Sequence, residues 1–153
     1  MSTRRPAPAL EDRLLLDDLY SEYLWALDTG DVEIYIGTFW DDAVLKEDQL
    51  DGSTEVFETA EVIREYTAAH FDDWTGHQHR ETTRLYLPAE GRADRWRAQS
   101  YWFASHRDAP TNHVEFTSTG YYRDVVEKRD GQWRFLERHI ARWPGALPHP
   151  YRT

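Results

Sequence analysis

The apolar residues of this chain change period once, near Gly76, and that change limits the folds open to it. Before it they recur at three- and four-residue steps; after it they alternate through long β-forming runs. Leu16, Leu19, Tyr20, Tyr23, Leu24 and Leu27 mark the buried stripe of a first helix. Asp17, Asp18, Ser21, Glu22 and Trp25 fall on its other side, and Gly30 supplies the stop. "DVEIYIGTFW" predicts a short second helix capped by Asp31, with Val32, Tyr35, Ile36 and Phe39 at helical steps. "AVLKE" reads as a brief strand, "DQLDGST" as a turn, and "TAEVIREYTAAHF" as a third helix opened by Thr59. Beyond Gly76, "HQHRETTRLYL", "RWRAQSYWFASHR", "HVEFTSTGYYRDVVEKR" and "QWRFLERHIARW" predict four long antiparallel strands, the last two joined at Asp130-Gly131. Helices first and a meander second is the α+β order, so a cone-shaped, curved antiparallel sheet should wrap the N-terminal helices.

With 153 residues the chain fits one domain, residues 1–153, with a loose arm at 1–9 and a proline-rich tail at 144–153. Twenty-eight acidic against 18 basic residues give a net charge of −10, which repels phosphate backbones and anionic lipid. Nucleic acid and membrane surfaces are therefore poor partners. The absence of cysteine removes disulfides, thiolate chemistry and cysteine metal sites together. No apolar run has transmembrane or signal-peptide length, which reads as a cytoplasmic protein. Seven Trp, nine Tyr and six Phe make much of the apolar volume ring-shaped, suiting a core that also lines a pocket for a flat small molecule.

The stripe of the first helix ends at an acid. Asp28 follows Leu24 by four residues and precedes Gly30, so it sits in the last helical turn beside buried surface. The negative end of the helix dipole and partial desolvation both disfavour a charge there, a setting suited to a general base. The plainer alternative is that "DTGD" is helix-ending turn chemistry. His77, His79 and Glu81 alternate, so they share one strand face and could form a polar patch inside the cone. A neutral imidazole beside Asp28 could move a proton at pH 7. Tyr23 belongs to the core stripe, where its hydroxyl could donate to a developing oxyanion if it reaches the cavity. Arg138 alternates with Leu136 and Ile140 and needs an internal partner: a ligand, or a structural carboxylate such as Glu115 or Asp124.

The runs "EDRLLLDDLYSEYLWALDTGD", "TFWDDAVL", a histidine-bearing strand and "GYYRDVVEKRDGQWRFLERH" resemble the SnoaL-like branch of the nuclear-transport-factor-2-like superfamily, from Glu11 to about Trp143. That branch includes polyketide cyclases, scytalone dehydratase, bile-acid 7α-dehydratase and hexachlorocyclohexane dehydrochlorinase. The resemblance implies a cystatin-like cone and makes Asp28 the acid that pairs with a strand histidine. Tyr23 falls where the bile-acid enzyme has a tyrosine and the dehydrochlorinase a lysine. Arg138 falls where those lyases keep a pocket arginine. One position departs: Gln78 occupies the histidine slot and Thr82 replaces an asparagine. Either a bulge slips the register so that His77 or His79 points inward, or the dyad is absent.

The function so implied is a cofactor-independent general acid/base lyase or isomerase, of dehydratase or cyclase type, acting on a small hydrophobic ring-containing metabolite. Asp28 with His77 or His79 would take a proton, and Tyr23 and Arg138 would stabilise the charge that develops. The alternatives are a polyketide- or terpenoid-type cyclase, or a non-catalytic small subunit of a ring-hydroxylating dioxygenase or ligand-binding protein. "HQH" also resembles the metal-binding start of a cupin, but the rest of that pattern is missing, so neither metal nor cofactor is expected. "SYWFAS" and "GYYRDVV" place apolar groups on both strand faces, which predicts a homo-oligomer, dimer or trimer, joined through the outer sheet face.

Overall fold

A computed structural model describes residues 6–71, 76–89 and 91–144. Helix α1, Leu10–Thr29, buries Leu16, Leu19, Tyr20, Tyr23, Ala26 and Leu27. It stops where the stripe stops: Gly30 takes φ 72° and donates its N–H to the Ala26 carbonyl. Only glycine adopts that conformation without a Cβ clash. Helix α2, Val32–Gly37, is capped by the Asp31 carboxylate, which accepts from the Ile34 N–H at 3.0 Å. Phe39, expected on its stripe, instead begins strand β1, Phe39–Asp48. Strand β2, Thr54–Glu58, and helix α3, Ala60–His70, follow. The Thr59 hydroxyl caps α3 by accepting from the Val62 N–H. The meander is β3, His77–Ala89; β4, Arg92–Asp108; β5, His113–Arg129; and β6, Gln132–Arg142. Asp130 and Gly131 both have positive φ, as a two-residue hairpin turn between β5 and β6 requires.

These strands form one six-stranded sheet in the order β2-β1-β6-β5-β4-β3. Two features correct the sequence expectation. Residues 54–58 form strand β2, where the sequence reading ended a turn at Thr54 and assigned nothing to 55–58; β2 is an exposed edge with no buried face, so it carries no alternation to read. Strand β1 pairs parallel with β6, so the sheet is not antiparallel throughout. That pairing joins chain segments far apart in sequence and leaves no local signature. The sheet curls around α1 without closing, and β2 and β3 remain its edges. Bulges in the β1–β6, β3–β4, β4–β5 and β5–β6 ladders bend it.

The core lies between α1 and the concave face of the sheet. Tyr20 and Tyr23 meet Phe135 edge-on, at centroid distances of 5.0 and 5.5 Å. Each such contact is worth about 0.5–1.5 kcal/mol beyond the area it buries. On β4 and β5, Trp102, Tyr122 and Val126 are buried inside, whereas Tyr101 keeps 42% of its surface and Phe116 64%. Among the described residues no helix is long and apolar enough to cross a membrane.

Candidate active site

Strand β3 passes the C-terminal end of α1, and the two meet through one acid. The Asp28 carboxylate accepts the His79 backbone N–H with both oxygens at 3.0 Å, and its Oδ1 lies 2.7 Å from His79 Nδ1. A carboxylate is an acceptor only, so Nδ1 carries the proton. In the neutral imidazole Nε2 is then the nitrogen with the free lone pair. Both side chains are mostly buried, with 17% of His79 and 18% of Asp28 exposed.

A left-handed residue maintains the strand's orientation here. Thr83 takes φ 57°, and between Thr82 and Leu85 the register against β4 shifts by one residue. Without that extra residue, one inward face could not hold His77, His79 and Glu81 before it and Arg84 and Tyr86 after it. Glu81 grips Arg84, which also reaches Asp17 of α1 at 2.6 Å and lies over the Tyr20 ring. Gln78 is exposed on the opposite face. The chain thus has both a bulge in β3 and a histidine, His79, turned toward Asp28.

Next to the dyad lies a cavity of about 350 Å³, walled by Tyr23, His77, His79, Trp102 and Tyr122, with Glu47 and Arg142 also lining it. That is the size of site that takes a one- or two-ring molecule. The His77 ring stands 6.2 Å from that of His79 and 4.8 Å from that of His106. The Tyr23 and Tyr35 hydroxyls are 3.2 Å apart, and burial raises the pKa of both, so both stay protonated and able to donate. Trp102 reaches across β5 to donate its indole N–H to the Ala141 carbonyl at 3.2 Å. It passes over Gly120, where an added Cβ would lie 2.7 Å from the indole ring.

Of the five residues singled out by sequence, Tyr23, His77 and His79 line this cavity, and Asp28 backs His79. Arg138 does not line it. It is fully buried behind Tyr23 and Tyr122, its guanidinium carbon 4.0 and 3.7 Å from their ring centres. Its Nη1 donates to Asp124 Oδ2 at 2.9 Å, and Tyr20 donates to the same oxygen at 2.8 Å. The internal partner weighed from the sequence is therefore Asp124. Burial pushes the Asp124 carboxyl up to about 6 against the pull of Arg138. Among the described residues, no group of three His, Cys, Asp or Glu side chains could hold a metal ion.

Glu47 was missed. It alternates with Ala43 and Leu45, and that pattern could have placed it on the inner face. Its Oε2 accepts from the Tyr66 hydroxyl at 2.9 Å.

The model of the SnoaL-like domain matches residues 8–139. The chain belongs to that family. No curated protein matches the sequence significantly. Among solved structures, ActVI-ORFA from Streptomyces coelicolor superposes with a TM-score of 0.77 at 17% identity, over 92% of this chain and 100% of the other. A protein of unknown function with a cystatin-like fold from Nostoc punctiforme gives 0.74 at 24% identity, over 94% and 98%. A candidate scytalone dehydratase from Novosphingobium aromaticivorans gives 0.71 at 18% identity, over 91% and 97%. At such identities the likeness is one of fold.

Proposed function

We propose that this SnoaL-like domain is a general acid/base enzyme, a lyase or isomerase, acting on a small, largely apolar ring compound held in the cone. The observation that carries the reading is the Asp28–His79 contact on the wall of an aromatic cavity. Asp28 orients the imidazole and stabilises it once protonated, and His79 Nε2 takes the substrate proton. Tyr23 faces the same space with a hydroxyl that can donate to the oxyanion that develops. Arg138 acts through Tyr23 and Tyr122: with its charge balanced by Asp124, it packs against both rings and holds that wall in place. The dyad favours this over a scaffold subunit, which has no use for an oriented imidazole.

The deciding experiment is Asp28→Asn. The amide keeps the shape but is a poor partner for an imidazolium. Turnover of the physiological substrate should fall by a factor of about 10² to 10⁴ with the thermal melt unchanged. Full activity in that variant would remove the dyad from the mechanism.

The same proposal includes self-association through the outer sheet face. Phe103 stacks on Phe116 and Tyr101 meets Trp143 there, leaving an apolar surface that a second copy would cover. Light scattering at micromolar concentration should give a dimer or trimer, and an 18.1 kDa species would contradict it.

A further inference from the structure

The cavity holds a second ionisable group that the dyad does not use. Strands β6, β5 and β4 separate β1 from β3, so on the curled sheet Glu47 and His79 stand on different walls of one cavity. Oε2 of Glu47 is occupied by the Tyr66 hydroxyl. Tyr66 is itself held in place by stacking on Phe57 at a centroid distance of 4.0 Å. Among the described residues Oε1 accepts no hydrogen bond, and Glu47 lines the cavity. A carboxyl group on the lining of a cavity, with one oxygen anchored and the other accepting no hydrogen bond among the described residues, is available for proton exchange with a bound molecule.

We propose that Glu47 is the proton donor of this site: its Oε1 protonates the oxygen that leaves the substrate, while His79 Nε2 takes a C–H proton from the β3 wall. This rests on the reading of His79 as the base. The C–H bond breaks toward His79 and its electron pair forms the new C=C bond. The C–O bond breaks toward oxygen, which receives the proton of Glu47 and departs as water. His79 ends protonated and Glu47 ionised, and one proton passed back through solvent restores both. The substrate class is accordingly a ring compound that carries a hydroxyl leaving group and an activated C–H.

The surroundings of Glu47 support the role. Burial lifts its carboxyl above the ordinary glutamate range, against the Tyr66 hydrogen bond. Arg142 of β6 and His70 of α3 pull it down, and Glu55 of β2 pushes it up. Tyr35 of α2 also faces it. A carboxyl raised in this way holds its proton closer to neutral pH than a solvated one.

Two base-sensitive probes separate the roles. Nitrobenzisoxazole and its unsubstituted parent both lose a C–H proton, break the N–O bond and release a cyanophenolate. The nitro compound has a good leaving group that needs no acid, and the parent does not. Glu47→Gln keeps an acceptor for Tyr66; it should slow opening of the parent about a hundredfold and of the nitro compound by less than about threefold. In the wild type, the parent rate should fall as pH rises through the titration of Glu47, while the nitro rate should not; this readout needs no variant. Equal loss on both probes, or no loss, together with identical pH profiles, would overturn the proposal. Asp28→Asn should slow both probes alike. If it slows neither, the base reading fails rather than Glu47 alone. A wild-type protein that opens neither probe would overturn both.

Discussion

Two acids of this protein each hold a nitrogen base, and they have opposite surroundings. Asp28 and His79 sit at the edge of the cavity, 18% and 17% exposed, and among the described residues His79 Nε2 has no hydrogen-bond partner. Asp124 and Arg138 are wholly sealed behind the cavity wall, at 0% each. There, among the described residues, Asp124 Oδ1 and Arg138 Nε and Nη2 find no hydrogen-bond partner. The first pair has spare capacity facing the cavity. The second has spare capacity facing protein, which stabilises nothing and cannot turn over a substrate. Contact between an acid and a base therefore says little until one asks where the remaining lone pairs and N–H groups point.

The largest expected effect falls on the dyad. Asp28→Asn and His79→Gln should each cost about 10² to 10⁴ in turnover, and the double variant no more than the worse single one, because the two act as a unit. Multiplying losses would mean that they act separately, and the comparison would lose its first half.

The sealed pair should answer in stability instead. Arg138→Met leaves Asp124 buried without its cation and should destabilise by about 3–5 kcal/mol in urea titrations. Arg138→Met combined with Asp124→Leu should recover most of that loss, since apolar groups need no partners. A double variant as unstable as the single one would show that the pair contributes net stability. Acid should separate the two regions further. The folded Asp124 carboxyl titrates at about 6, above its ordinary value of 3.8, so folding favours its protonated form. Its contribution is fully present below pH 3.8 and is lost as pH rises through about 6. Relative to the double variant, the wild type should thus lose stability between those limits. A parallel pH dependence in the two proteins would contradict the assignment.

Much of this was legible in the sequence because it was local. The apolar stripe from Leu16 to Leu27 and the stop at Gly30 place Asp28, and alternation puts His77 and His79 on one face. The partner of His79 was less legible, since it depends on how α1 docks against β3. Arg138 shows the limit of one-dimensional reading. Alternation says that it points inward, but only the β5–β6 register, in which Asp124 lies opposite Arg138, says what it meets. Glu47 was legible and unread, on the face of Ala43 and Leu45. The parallel β1–β6 pair was illegible, because strand direction leaves no mark in either strand's composition.

The smallest predicted effect tests the device that turns His79 inward. Thr83 holds φ 57° with a β-branched side chain, a conformation that costs about 1–3 kcal/mol for a residue other than glycine. Thr83→Gly removes that strain and leaves the extra residue in place, so the faces on either side of the bulge should not change. Glycine also gains freedom in the unfolded chain, which offsets part of the benefit by about 0.4–1 kcal/mol. The net result should be a stabilisation between zero and about 2.5 kcal/mol, with full activity retained. If activity fell as well, the threonine side chain would be part of what aims the histidine at Asp28, and the inward face would depend on more than a count of residues.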